Sequence, residues 1–389
     1  MIRYAGYSVV DYGAMVDCEP RMGCYAEALR RAITPGCTVI DIGASFGVFS
    51  LLACKYGAGK VIAIEPDPSV ELIMGMAQAN GCADRIEIVR DMSTRYTPET
   101  KADVIVSDCR GSMPLYEFHV ATIRDARERL LAPGGTLMPM RDTLRVALAS
   151  SAKTYRQVPY PWLKNDYDLD LREGLRYAAN TPSQVYLKPS NLVSEPQDLA
   201  YLDYRTITEP NLDATVELTA VRQGIVHGVL VWFDAEIAEG ISYSNAPGAP
   251  PLVYRQRFFP LSEAVRLKAG DRIKLRLRAT LSGDDYVWAW DSDVIDGETG
   301  AVRNTFRQSS FLCKIFSPQA IKSLANDFVP QRSDLMAIDR DCLALVQEDA
   351  GHSLDAIARS IMEKHPTRLD SYQKALDHVA VFFKRYNDA

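Results

Sequence analysis

Thr38-Val-Ile-Asp-Ile42 is a β-branched, apolar run that ends on Gly43, and a second glycine, Gly47, follows four residues later. A strand of that composition fits a position buried on both faces of a parallel sheet. The glycines let the chain turn tightly, and bring bare backbone close to a ligand, before a helix that begins near Val48. Val61-Ile-Ala-Ile-Glu65 then reads as a second buried strand tipped by an acid, eighteen residues after Gly47. An acid about 20 residues beyond such glycines is placed to accept hydrogen bonds from the hydroxyls of a ribose. The Gly43-x-x-x-Gly47 spacing lacks the Gly-x-Gly-x-x-Gly of a dinucleotide site, and no Gly-Lys-Ser/Thr makes a P-loop. What remains is a Rossmann-like S-adenosylmethionine cradle whose turn Asp41 orders, with a glycine turn of some other α/β fold as the alternative.

The surrounding pattern supports an α/β architecture. Strand 38–42, helix 48–57, strand 61–65, helix 69–80, strands 85–89 and 103–107, helix 117–130 and a Pro133-Gly134-Gly135 turn into strand 136–138 give a doubly wound parallel sheet. Beyond Arg141 the texture becomes β-rich, with segments at Thr215–Val221, Gly228–Glu236, Arg255–Phe259, Arg272–Ala279 and Tyr286–Trp290, as in a β-barrel or sandwich. From Asp334 amphipathic helices dominate: Ser353 caps one running to Lys364, and Leu369–Arg385 carries Leu376, Val379 and Phe383 at helical spacing. The division expected is 1–142, 143–325 and 334–389.

Composition narrows the function. Forty-four basic and fifty acidic residues leave a net charge of −6 without a basic face, which disfavours nucleic acid. No apolar run spans a bilayer and the start lacks a signal-peptide core, so a cytoplasmic protein without membrane attachment is expected. The eight cysteines contain no Cys-x-x-Cys, and the five histidines form no cluster with them, so reduced thiols and no metal are expected.

The strongest chemical constellation follows strand 103–107, where Asp108 and Glu117 lie nine residues apart on either side of a hairpin. Methyl transfer needs an acceptor lone pair in line with the donor methyl, and two acids can orient a donor-rich group such as a guanidinium and take its proton. The plainer alternative gives Asp108 a cofactor role only and Glu117 a favourable place at a helix start. His119, two residues on in the same expected helix, would face elsewhere and is a weak base candidate. Cys109 is not needed as a nucleophile, and Trp288 and Trp290 read as packing before they read as a cation cage.

With these residues assembled, roughly residues 1 to 300 resemble the protein arginine methyltransferases of the class I S-adenosylmethionine type. The resemblance rests on Val39-Ile-Asp-Ile-Gly-Ala-Ser-Phe-Gly47, Glu65, the loop Arg90-Asp-Met-Ser93, the acid pair of the hairpin and Trp232-Phe-Asp234. It implies that Asp41 and Gly43 neighbour the methionine moiety of S-adenosylmethionine, with Ala44, Ser45 and Gly47 also in the cofactor site. It further places Glu65 and Pro66 at the ribose, Met92 and Ser93 at the adenine, and Asp108 between donor and acceptor. S-adenosylhomocysteine would be the product, and Glu117 with Asp108 the catalytic pair. It also implies a homodimer through an aromatic arm at Trp162 to Leu169, within 158–180, and a lid from Tyr4, Tyr7 and Tyr12 with Arg21 at the methionine carboxylate.

The sequence departs from that family at three places. The first hairpin acid is an aspartate, the threonine-histidine-tryptophan loop reads Leu252-Val253-Tyr254, and Arg110 stands inside the hairpin. Arg110 and Tyr254 are therefore the residues expected to shape the acceptor site. Residues 334–389 fall outside the pattern and resemble the small peptide-recognition domain of the pyrroloquinoline quinone pathway, which would add a peptide strand beside itself; a plain helical appendage is the alternative. The expected activity is N-methylation of an arginine-like side chain in a peptide, protein or amino-acid derivative. The alternatives are another N- or O-acceptor in natural-product biosynthesis and an inactive peptide-binding scaffold.

Overall fold

The computed structural model describes residues 8–157, 159–323, 325, 327–330, 332–348 and 351–384, so Tyr4, Tyr7 and the expected helix end at Arg385 lie outside the described residues. Two compact units divide the chain, Met1–Ile315 and Phe316–Ala389.

The first unit opens with helices α1 (Val9–Asp17) and α2 (Glu19–Ala32). Ser8 starts α1 with a reciprocal cap, its Oγ accepting from the Asp11 N–H and its own N–H donating to the Asp11 carboxylate. Then follow β1 (Thr38–Ile42), α3 (Val48–Tyr56), β2 (Lys60–Ile64), α4 (Glu71–Ala79), β3 (Ile86–Val89), β4 (Ala102–Ser107), α5 (His119–Asp125) and β5 (Leu131–Met138). The strands form one parallel sheet in the order β3-β2-β1-β4-β5. Val39, Ile40, Val61, Ile62, Val104 and Ile105 are essentially withdrawn from solvent, which is the hydrophobic gain that the unalternated runs secure. The order reverses between β1 and β4, and in such sheets the crevice at the carboxyl ends of the strands beside that reversal is where ligands sit.

Two expectations shift here. Glu117 is not helical: its φ is +42° and α5 begins at His119. Pro133-Gly134-Gly135 lies within β5 at an irregularity in its pairing with β4, so the turn chemistry read in the sequence serves a bulge.

The β-rich part contains β6 (Arg141–Ala149), the short helices α6 (Ala152–Gln157), α7 (Tyr160–Leu163) and α8 (Arg172–Ala178), then β7 (Ser183–Val185) and β8 (Gln197–Asp203). It continues with β9 (Leu212–Thr219), β10 (Gly224–Ala238), β11 (Ile241–Ser244), β12 (Gln256–Leu267), β13 (Arg272–Ser282), β14 (Asp285–Ile295) and β15 (Val302–Ser309). Two antiparallel sheets result, β7-β12-β10-β6-β8 with β11 on β10, and β15-β14-β13-β9. Trp290 joins them: it is fully buried, its indole N–H donates to the Pro260 carbonyl at 2.9 Å, and its ring meets Phe259 at 5.3 Å. Trp288 packs on the same phenylalanine. Both tryptophans are core residues.

The second unit carries α9 (Pro318–Lys322), α10 (Asp334–Glu348), α11 (Leu354–Lys364) and α12 (Tyr372–Phe383). Ile338, Cys342, Ile357, Ile361, Val379 and Phe382 form its own core. Among its described residues there is no strand, so the expected strand addition has no sheet edge to extend. No described helix is long and apolar enough to cross a membrane.

Candidate active site

The reversal point holds a cavity of about 440 Å³, within the range of small-ligand sites. Its floor is the β1 turn. Gly43 has φ +73°, and a Cβ there would drive into Cys109 Sγ, so both its conformation and its contact require glycine. Ser45 holds φ +52° without being glycine, as Glu117 does across the same cavity, and strain of that kind concentrates at functional sites.

Glu65, at the tip of β2, is anchored by its neighbours: the Ser45 N–H donates to Oε2 at 3.0 Å and the Asp67 N–H to Oε1 at 2.9 Å. Burial raises its pKa against those hydrogen bonds. Each oxygen retains capacity for a further donor, which suits a ribose. Tyr12, Phe46, Met92 and Ser93 continue the wall, with Tyr12 and Phe46 rings 4.4 Å apart. An anchored acid, bare backbone at Gly43 and apolar walls fit S-adenosylmethionine.

The hairpin end of the cavity is dense in charge. Asp108 is nearly sealed from solvent; Arg21 Nε donates to its Oδ2 at 2.5 Å and the Tyr254 hydroxyl donates to the same oxygen. Burial alone would raise the Asp108 pKa, but the Arg21 and Arg110 charges outweigh it and hold the carboxyl below its ordinary range. Arg110 Nε lies 3.1 Å from Asp108 Oδ1, close enough for an ion pair though not aligned as a hydrogen bond. The rest of that guanidinium is engaged behind the hairpin. Nη1 donates to Asp142 Oδ1 at 2.6 Å, Nη2 donates to the Tyr25 hydroxyl at 2.9 Å, and the group lies 5.7 Å from the ring centroids of Phe233 and Tyr243. Tyr204 donates to the other Asp142 oxygen. Burial raises the Asp142 pKa to about 6 against the Arg110 charge.

Of the residues singled out in the sequence, Gly43, Ala44, Ser45, Glu65, Pro66, Met92, Ser93, Asp108, Glu117 and Tyr254 line this one cavity. Asp41, Gly47 and Arg110 do not. Asp41 sits beneath the turn, where its Oδ2 accepts the Ser50 N–H at 3.0 Å and the Ser50 hydroxyl at 2.7 Å, so it orders the start of α3. Gly47, at φ +75°, is the residue from which α3 departs, and Ile73 packs against it. Arg110 points inward and is wholly buried, because two carboxylates and two aromatic rings accommodate it there. Cys109 is half-buried, and desolvation pushes its thiol up to about 12, so it holds its proton. Arg21, offered by the resemblance, does line the cavity, and so does His119. His119 was discounted on helical spacing, and that spacing does not apply once Glu117 leaves the helix. Asp142, Tyr25 and Tyr204 escaped notice because nothing local links them to Arg110.

Comparison with known proteins follows the same outline. Residues 142–291 match the arginine methyltransferase oligomerization subdomain, and residues 23–118 match the ribosomal protein L11 methyltransferase model. The arginine N(omega)-methyltransferase of Streptomyces achromogenes is 30% identical over 270 residues, 68% of this chain and 74% of that protein. Protein arginine N-methyltransferase 1 of Saccharomyces cerevisiae is 25% identical over 281 residues, 68% of this chain and 80% of that protein. Among solved structures, the Trypanosoma brucei PRMT1 enzyme-prozyme heterotetrameric complex with AdoHcy superimposes with a TM-score of 0.71 at 24% identity, covering 79% of this chain and 100% of that one. The Arabidopsis thaliana protein arginine methyltransferase 10 gives 0.69 at 19% identity, covering 78% and 98%. At those identities the two structures speak for the fold.

Proposed function

The chain belongs to the arginine methyltransferase family, and from that premise we propose that it transfers the methyl group of S-adenosylmethionine to a guanidino nitrogen of an arginine or arginine-like acceptor. The observation that supports this most is that Glu65 and Gly43 of the cradle and Glu117 of the hairpin line one and the same cavity. Bound there, the donor supplies a sulfonium methyl. Glu65 would hold the ribose, Met92 and Ser93 the adenine side, and Arg21 the methionine carboxylate.

The charges favour a cationic acceptor. At the hairpin Arg21 and Arg110 are paired with Asp108 and Asp142, and Glu117 adds to the cavity wall a carboxylate outside those pairs. Because the oxygens of Asp108 are already engaged by Arg21, Arg110 and Tyr254, Glu117 is the carboxylate free to orient the acceptor and take its proton. Asp108 then acts as the fixed negative charge that aligns Arg21 and the Tyr254 hydroxyl. Its engagement also favours a second reading, an acceptor nitrogen less demanding of two carboxylates than arginine.

A homodimer through the arm is part of the proposal. Trp162, Leu163, Tyr167 and Leu169 expose apolar surface there, and the oligomerization subdomain match covers the arm. For residues 334–389 we retain a role in holding a peptide acceptor, now on helix faces, where Leu335, Met336 and Leu343 of α10 are exposed. Incubation with methyl-labelled donor and, separately, free arginine, an arginine-containing peptide and their lysine counterparts tests the activity. Label on arginine is the expected result, and label on lysine alone would displace the reading.

A further inference from the structure

On the premise of the proposed arginine methylation, we infer that Arg257 binds the α-carboxylate of the acceptor arginine, so that the acceptor is the free amino acid or a C-terminal residue. Arg257 lies on β12, opposite Val231 of β10 and Gln184 of β7. Residues directly opposite in an antiparallel pair share a face of the sheet, and so do residues two apart along one strand. Arg257 therefore shares a face with Phe259, whose ring packs on Trp288 and Trp290. It shares that face also with Gln184, whose amide donates to the Ser112 hydroxyl of the hairpin at 3.1 Å. A charge thus stands on the inner face of the β-rich part, where that part meets the hairpin.

The guanidinium is unpaired. Among the described residues its side chain makes no hydrogen bond or ion pair, and Nε alone of its three nitrogens is sealed from solvent, which leaves the two terminal nitrogens reachable. Burial holds its pKa below the ordinary arginine value, and Asp285 acts against that through space without forming an ion pair with it. An arginine that merely covers apolar surface keeps its charged head in water, whereas here part of the head is withdrawn. A charge so placed is costly without a counter-ion, and the two terminal nitrogens of a guanidinium match the two oxygens of a carboxylate.

Tyr116 ties this charge to the acceptor. It is the other group whose field acts on Arg257, its ring lies against Gly111, and it stands beside Glu117 on the cavity wall. An arginine substrate carries a cation at one end and a carboxylate at the other. Glu117 takes the first and Arg257 the second. An arginine inside a peptide chain has no carboxylate to offer, so this pairing selects against it.

The test uses the full chain saturated with S-adenosylhomocysteine, and calorimetry of four small probes. Arginine and glycyl-arginine carry the carboxylate; agmatine and glycyl-argininamide keep the guanidinium and lack it. At least one of the two acids should bind about tenfold or more tighter than its uncharged-end counterpart, the scale of a charge-assisted pair. The tighter of the two acids shows whether the source is the free amino acid or a peptide C-terminus. Arg257→Gln should erase that preference while leaving agmatine and S-adenosylhomocysteine affinity unchanged. Equal affinity within both pairs of probes in the unaltered protein would overturn the inference without any variant, and so would an Arg257→Gln protein that keeps the preference. Failure of the methylation reading is separately visible, as a carboxylate preference that persists while no methylated arginine forms.

Discussion

Arg110 Nη1 donates to Asp142 Oδ1 at 2.6 Å with both side chains fully withdrawn from solvent, directly behind the carboxylate of Asp108. A buried pair of this kind gains little net stability over an apolar replacement of both partners, but removing one partner strands the other. Arg110→Met should therefore destabilise the protein by about 3–5 kcal/mol in denaturant unfolding, because buried Asp142 would lose its countercharge and Asp108 would keep only that of Arg21. A change within a few tenths of a kcal/mol would show that the pair does not hold the hairpin.

Glu117 is the carboxylate of the hairpin that no side chain among the described residues pairs with, and it sits on a strained backbone at the cavity wall. Glu117→Gln should leave S-adenosylhomocysteine affinity intact in calorimetry while lowering turnover about a hundredfold, the usual scale for a positioned proton acceptor. Turnover equal to that of the unaltered protein would remove Glu117 from the chemistry.

Asp41 gives the fold a pH dependence of definite sign. Burial raises its pKa from 3.8 to about 7 against the hydrogen bonds from Ser50. Between about pH 4 and 7 the folded state keeps a proton that the unfolded chain has released, so this group's contribution favours folding at low pH and is lost as pH rises through that window. Asparagine can still accept from the Ser50 N–H. Asp41→Asn should thus lose that slope and, above about pH 7, be more stable than the unaltered protein by on the order of a few kcal/mol. Parallel slopes of unfolding free energy against pH in the two proteins would contradict this.

Every residue of the cavity lies in the first unit, and the helices from Asp334 onward have their own core. A chain ending at Ser333 should bind S-adenosylhomocysteine as tightly as the full protein while losing affinity for a peptide acceptor presented on the second unit. Undiminished peptide affinity would end the peptide-holding role of residues 334–389.

The donor half of the site was legible because its signals are local. The β1 run, the left-handed turn at Gly43 and the acid at Glu65 fall within one βαβ unit, and the periods of strand and helix announce them. The parallel sheet and the longer strands of the β-rich part follow from the same periodicity. Short strands such as β7 and β11 carry too few residues to show a period. The acceptor half depends on distant pairings. Arg110 reads only as a charge inside the hairpin, with its partners invisible until β6 brings Asp142, thirty-two positions away, and α2 brings Tyr25, eighty-five positions away. His119 reaches the cavity wall for a related reason: the helical spacing from Glu117 does not apply, because Glu117 is left-handed and the helix begins after it.

The central claim is that one cavity seats the donor against Glu65 and the acceptor guanidinium against Glu117, and it is tested most directly by a crystal structure with S-adenosylhomocysteine and arginine bound together. The expected map shows the ribose hydroxyls on the Glu65 carboxylate and the guanidinium on Glu117, facing the sulfur of the bound product. Arginine seated elsewhere while S-adenosylhomocysteine fills the cradle, or a cradle that excludes it, would contradict the account.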